Sequence, residues 1–155
     1  MAEGGTLNME LIDTHAHLDH DWFDGERDEI VQRALEAGVT TIITIGADLP
    51  SSEAAVKLAE KYEDVYATVG IHPHDAKTAD EAAYARLREL AAHPKVVAIG
   101  EIGLDYYYDH SPRDVQRDVF IRQLDIARET GLPFVVHNRD ASDDVMTVLR
   151  EHGRG

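Results

Sequence analysis

His15 and His17 stand one residue apart, just behind the apolar pair Leu11 and Ile12. In an extended strand, residues two apart point to the same side and lie about 6.6 Å apart along the chain. The two imidazoles can therefore converge on one ion. Glu101 closes the run Val96-Val97-Ala98-Ile99-Gly100, where an unpaired carboxylate would be costly. A cation, or an arginine such as Arg139, would offset that cost, and two carboxylate oxygens can bridge two metals about 3.5–4 Å apart. His137 closes Pro133-Phe134-Val135-Val136, while His72 and His74 flank Pro73. His20, between Asp19 and Asp21, reads as loop surface. The chain has no cysteine, which rules out thiolate chemistry and leaves His, Asp and Glu to build any metal site.

Such groups act together only if a scaffold brings them to one edge. Short β-branched runs alternate with segments of helical period, the pattern of βαβ units. Strands are predicted over Glu10–Thr14, Thr40–Gly46, Val65–Gly70, Lys95–Gly100 and Pro133–His137, and helices over Glu26–Ala37, Ser52–Glu63, Ala79–His93, Pro112–Thr130 and Ser142–His152. Nearly continuous apolar strands suit a parallel sheet buried on both faces. Gly38 and Gly131 fall at helix C-termini, where a positive φ is needed, and Ser111-Pro112 reads as an N-cap and first helical residue. Val115, Val119, Phe120, Leu124 and Ala127 form one apolar stripe. Residues 1–9 read as a leader, loose over Met1–Asn8, and residues 10–155 as one α/β domain.

Five βα units suit either an open doubly wound sheet or the first part of an eight-unit barrel, complete at about 250 residues. Active sites form at the C-terminal strand edge in both, and His15, His17, His72, His74, Glu101 and His137 all fall there. Shared placement makes a metal site the better reading of residues that would each be ambiguous alone. No Gly-rich phosphate loop follows the first strand, which disfavours nucleotide binding.

Composition narrows the setting. The 155 residues are 43% hydrophobic, enough for one core, and carry no apolar run that would span a membrane or serve as a signal peptide. A cytoplasmic protein is expected, in keeping with the absence of cysteine. Net charge is −15, from 30 acidic against 15 basic residues. The acids are spread over every predicted helix, as on a solvated acidic surface, and repel phosphate-rich partners at long range.

The stretches LIDTHAHLD, GIHPHDA, GEIGLDYYY and PFVVHNRDA resemble, in that order, the strand-end motifs of the TatD-type metal-dependent hydrolases, a family of amidohydrolase-like barrels. The likeness runs from about Leu11 to about Arg150. It implies a parallel TIM-like barrel and two divalent metal ions, drawn from Mg, Mn, Zn or Co. It also implies that His15 and His17 bind one ion, that the catalytic Glu101 bridges both, and that His137 binds the other. The implied reaction is phosphodiester hydrolysis, typically of DNA and often from an end, by a metal-activated water. An amide or ester substrate uses the same ligands.

Other residues carry two readings each. His72 and His74 contact a substrate phosphate or shape the rim, or Pro73 simply stiffens the loop between them. Asp105 accepts from a ligating histidine, or caps a turn. Arg139 meets a phosphate, or pairs with Asp140. Tyr106, Tyr107 and Tyr108 offer base-stacking surface, or pack into the barrel wall. Against the resemblance, the chain holds about five of eight units, and the family's further histidine and aspartate, expected after the sixth and eighth strands, are absent from it. A fragment of a longer protein is the leading expectation. A second chain completing the barrel, self-association over the open edges, and a non-catalytic assembly module are the alternatives.

Overall fold

The computed structural model describes residues 10–153; the predicted loose leader lies outside them. Five strands, β1 (Leu11–Ala16), β2 (Val39–Thr44), β3 (Val65–Val69), β4 (Val96–Asp105) and β5 (Phe134–Arg139), alternate with five helices. These are α1 (Arg27–Glu36), α2 (Leu49–Lys61), α3 (Glu81–Ala91), α4 (Arg113–Thr130) and α5 (Ser142–His152). Short 3-10 turns cover Asp21–Phe23 and Pro73–Thr78.

All strand pairings are parallel, and the spatial order is β1-β2-β3-β4-β5. A doubly wound sheet departs from sequence order at its switch point. The unbroken order is that of a barrel wall, so the chain forms five units of a TIM-like half-barrel. β3 and β4 are buried at its centre, whereas β1 is an open edge with Ile12 62% exposed, contrary to the predicted burial on both faces.

β4 differs most from its sequence reading. It continues five residues past Gly100, because Ile99 pairs with Phe134 and Ile102 with Val136, so that one extra β4 residue is accommodated as a bulge. Glycine makes that approach possible: Gly100 and Gly103 have φ of 154° and 141°, and a Cβ at Gly103 would collide with the His137 carbonyl. Gly100, read in sequence as a strand end, is instead the place where the strand kinks and carries on.

Helix starts also shift for identifiable reasons. α2 begins three residues early because Asp48 accepts from Ser51 N (2.7 Å) while Ser51 Oγ accepts from Asp48 N (2.8 Å), a capping box. α3 starts at Glu81, capped by Asp80, since the preceding residues form the 3-10 turn. Ser111 does not cap α4. Its hydroxyl donates to His74 O (2.8 Å) and accepts from Lys77 N (3.1 Å), tying two loops together. Gly38 and Gly131 take positive φ at helix ends, as their positions require.

Candidate metal centre

β1 carries His15, with His17 just past its end; β4 carries Glu101 and Asp105; β5 carries His137 and Arg139; and the turn after β3 carries His72 and His74. Glu101 faces both ways along this edge. Its Oε2 lies 3.5 Å from His15 Nε2 and its Oε1 3.1 Å from His137 Nδ1. Two triplets share it, His15–His17–Glu101 and His72–Glu101–His137, each with its three candidate ligand atoms within 4.8 Å of one another. The Glu101 backbone is pinned as well, donating to the Gly46 carbonyl (2.8 Å).

Asp105 organises the inner triplet from behind. Fully buried, it accepts from His137 Nε2 (2.9 Å), His74 Nε2 (2.9 Å), Tyr107 N (3.1 Å) and Tyr108 N (2.9 Å). An ionised carboxylate only accepts, so His137 must donate through Nε2, which turns Nδ1 toward Glu101. Asp105 thus both receives a histidine and closes a turn.

Electrostatics follow from this wiring. Burial opposes ionisation of Asp105, but the Tyr108 N–H and the bonds from His74 and His137 outweigh it and hold the carboxyl well below its ordinary value. Glu101 is likewise lowered: burial works against it, and the His137 bond with the charges of His72 and His15 prevails. His137 is raised, chiefly by its bond to Glu101. His72 is pushed down to about 4 by burial and by the neighbouring His137.

Two glutamines that sequence reasoning passed over complete the support. Gln116 Oε1 accepts from Asp105 N (2.8 Å), while its Nε2 donates to Asp105 O (3.0 Å) and Ser111 O (2.8 Å). Gln123 grips Ile71 in the same way, at 2.7 and 3.0 Å. Both are buried in α4 and satisfy buried backbone groups, Gln116 at the last residue of β4 and Gln123 just past β3. The signal was two polar residues seven apart among the apolar positions of one helix.

The remaining predicted residues fall as follows. His72, 9% exposed, lies with its ring 4.3 Å from that of His137, within the second triplet. His74 bonds to Asp105. Arg139 pairs with neither Glu101 nor Asp140; it lies over the rings of Tyr107 (4.4 Å) and Tyr108 (4.7 Å) and makes no ion pair among the described residues. Tyr106 packs against the core and donates to Asp144 Oδ2 (2.7 Å). His20 is an exposed loop residue, accepting from Trp22 N.

The donor set fits divalent cations. Imidazole nitrogens and one carboxylate with separately directed oxygens are what a pair of such ions requires. In addition, Asp19 Oδ1, within Coulombic reach of His17, is buried without a hydrogen-bond partner among the described residues.

Fold and site together define a (β/α)-barrel protein with a histidine–carboxylate centre at its C-terminal strand edge. Residues 12–155 match the family described as TatD related DNase, and the chain belongs to that family. It is 46% identical to the uncharacterized metal-dependent hydrolase YabD of Bacillus subtilis, over 92% of this chain and 56% of that protein. It is 39% identical to the 3'-5' ssDNA/RNA exonuclease TatD of Escherichia coli, over 90% of this chain and 54% of that one. Among solved structures it resembles the TatD homolog YJJV of Escherichia coli, with a TM-score of 0.86 and 33% identity over 92% of this chain and 56% of that one. A TatD family hydrolase of Entamoeba histolytica gives a TM-score of 0.86 at 28% identity, over 94% of this chain and 55% of that one. The chain therefore spans just over half the length of the relatives it matches.

Proposed function

We propose that this chain supplies the two-ion binding part of a divalent-metal phosphodiesterase centre. The observation that carries the reading is the division of Glu101, one oxygen toward His15 and the other toward His137. His15 and His17 would hold one ion, His137 with His72 the other, and Glu101 would bridge them. Bound there, divalent ions would lower the pKa of a water and offset charge building at phosphorus. The chain's own part is to position: Asp105 fixes the tautomer and orientation of His137, and the bulge at Gly100 aims Glu101. No helix among the described residues is long and apolar enough to cross a membrane.

The substrate reading, unpaired DNA or RNA cleaved from its 3' end, rests on the exonucleases among the relatives. Since the match covers just over half of them, cleavage is proposed for the whole protein. Partner chains or self-association along the open strand edges belong to the same proposal. The direct test is metal content after saturation with Mn²⁺ and removal of excess. Two retained ions per chain are expected, falling to one or none in Glu101→Gln with an unchanged circular dichroism spectrum. Equal retention in the variant would overturn the bridging role.

A further inference from the structure

Beside the inner triplet, the end of β4 and the end of β5 build a surface that the metal chemistry does not use. Tyr107 and Tyr108 are 60% and 47% exposed, with rings 4.8 Å apart at 89°. Their backbone N–H groups are tied to Asp105, so the rings project from a fixed turn. Tyr108 lies parallel to the His110 ring (6°, 5.4 Å) and edge-on to His74 (5.4 Å), which itself bonds to the carboxylate that holds His137.

Arg139 completes the patch. Most arginines here are committed to carboxylates, Arg86, Arg88, Arg113 and Arg122 among them. Arg139 instead lies over the two tyrosine rings and has no ion pair among the described residues. In a chain of net charge −15, an arginine held by aromatic rings keeps its charge for an outside anion while its planar face stays in the stack.

We infer that Tyr107, Tyr108 and Arg139 form a stacking subsite for an unpaired nucleobase of a single-stranded nucleic acid, with Arg139 meeting an adjoining phosphate. The subsite adjoins Asp105 and His74, so a strand seated on it runs toward the proposed metal centre. This deepens the phosphodiesterase reading and rests on it for the role of the bound strand. Stacking tolerates any base, because every base has a π-face. The subsite therefore selects for an unpaired base rather than for a sequence.

The test compares a fluorescent phosphorothioate thymidine octamer, which resists cleavage, with an abasic octamer of the same backbone. Anisotropy and Mn²⁺ retention are read on the same samples. The wild-type chain should bind the base-bearing strand about tenfold tighter. The Tyr107→Leu/Tyr108→Leu double variant should lose that preference while keeping its Mn²⁺ and its melting temperature. Arg139→Lys, which keeps charge without the plane, should lose part of the preference. No preference in the wild type, no binding of either strand, or a preference that survives the double variant would each overturn the subsite. Intact Mn²⁺ retention in those cases leaves the metal reading standing, and failed retention in the wild type sinks that reading separately.

Discussion

His15 and His137 approach opposite oxygens of the same carboxylate from the two edge strands of the sheet, yet their surroundings differ. The His137 side chain is 20% exposed and gripped at both nitrogens, by Glu101 and by Asp105. The His15 side chain is 41% exposed, and its Nε2 stands 3.5 Å from Glu101 Oε2. Position at an edge does not explain the contrast, since both strands lack a second neighbour. The neighbour behind the ring does: Asp105 bonds His137 Nε2, and no such second carboxylate bonds the His15 ring among the described residues. β4 and β5 stay paired to Asp105 and Arg139, whereas β1 and β2 part at Ala16 and Thr44, before His17. One triplet is organised by hydrogen bonds of the folded chain, and the other is not.

The largest effect should come from removing the organiser. Asp105→Ala leaves His137, His74 and two backbone N–H groups without their buried acceptor, at a cost of about 3–5 kcal/mol. Denaturant unfolding should show that loss, and Mn²⁺ affinity at the inner triplet should fall about 10–100-fold. A loss below about 1 kcal/mol, the scale of an ordinary hydrogen bond, would mean that the inner triplet is no better supported than the outer one.

A smaller effect sharpens the same contrast. Tyr106 ties the end of β4 to α5 through its bond to Asp144, and its phenol is pushed up to about 12 by burial and that bond. Tyr106→Phe should cost about 1 kcal/mol near neutral pH. Because the folded value lies above the unfolded value of 10.0, this stabilisation is complete below pH 10 and fades as pH rises toward 12. Denaturant midpoints of wild type and variant, measured across that window, should converge. A constant gap would separate Tyr106 from the support of the inner side.

What the sequence disclosed follows the same division. Strand and helix alternation, the histidine positions and the glycine helix ends were all legible, because each depends on local period or on one residue's backbone freedom. The continuation of β4 was not. Gly100 reads locally as a strand end, and the close passage of β5 at Val135 and His137 explains why glycine is required at Gly100 and Gly103. Gln116 and Gln123 were missed for a related reason, since a buried amide makes sense only once the backbone it grips is known. Arg139 and Asp105 make their defining contacts with partners more than thirty residues away in sequence, which local reading does not supply.

The smallest stability effect is expected at His15, and it tests the comparison from the other end. His15→Ala removes a partly exposed ring from an edge strand, so unfolding free energy should change by no more than about 0.5 kcal/mol. Metal retention should nevertheless drop by one Mn²⁺ per chain, because the outer triplet retains only His17 and Glu101. The inner ion should persist, because Glu101 keeps its contact with His137 through its other oxygen. Loss of both ions in His15→Ala would show that the inner triplet depends on the outer for more than the shared carboxylate. A large loss of stability would show that β1 is held by its histidines rather than by its pairing with β2. The expected pattern, one ion lost and stability kept, follows only if folding organises the inner triplet and leaves the outer one to be ordered by its ligand.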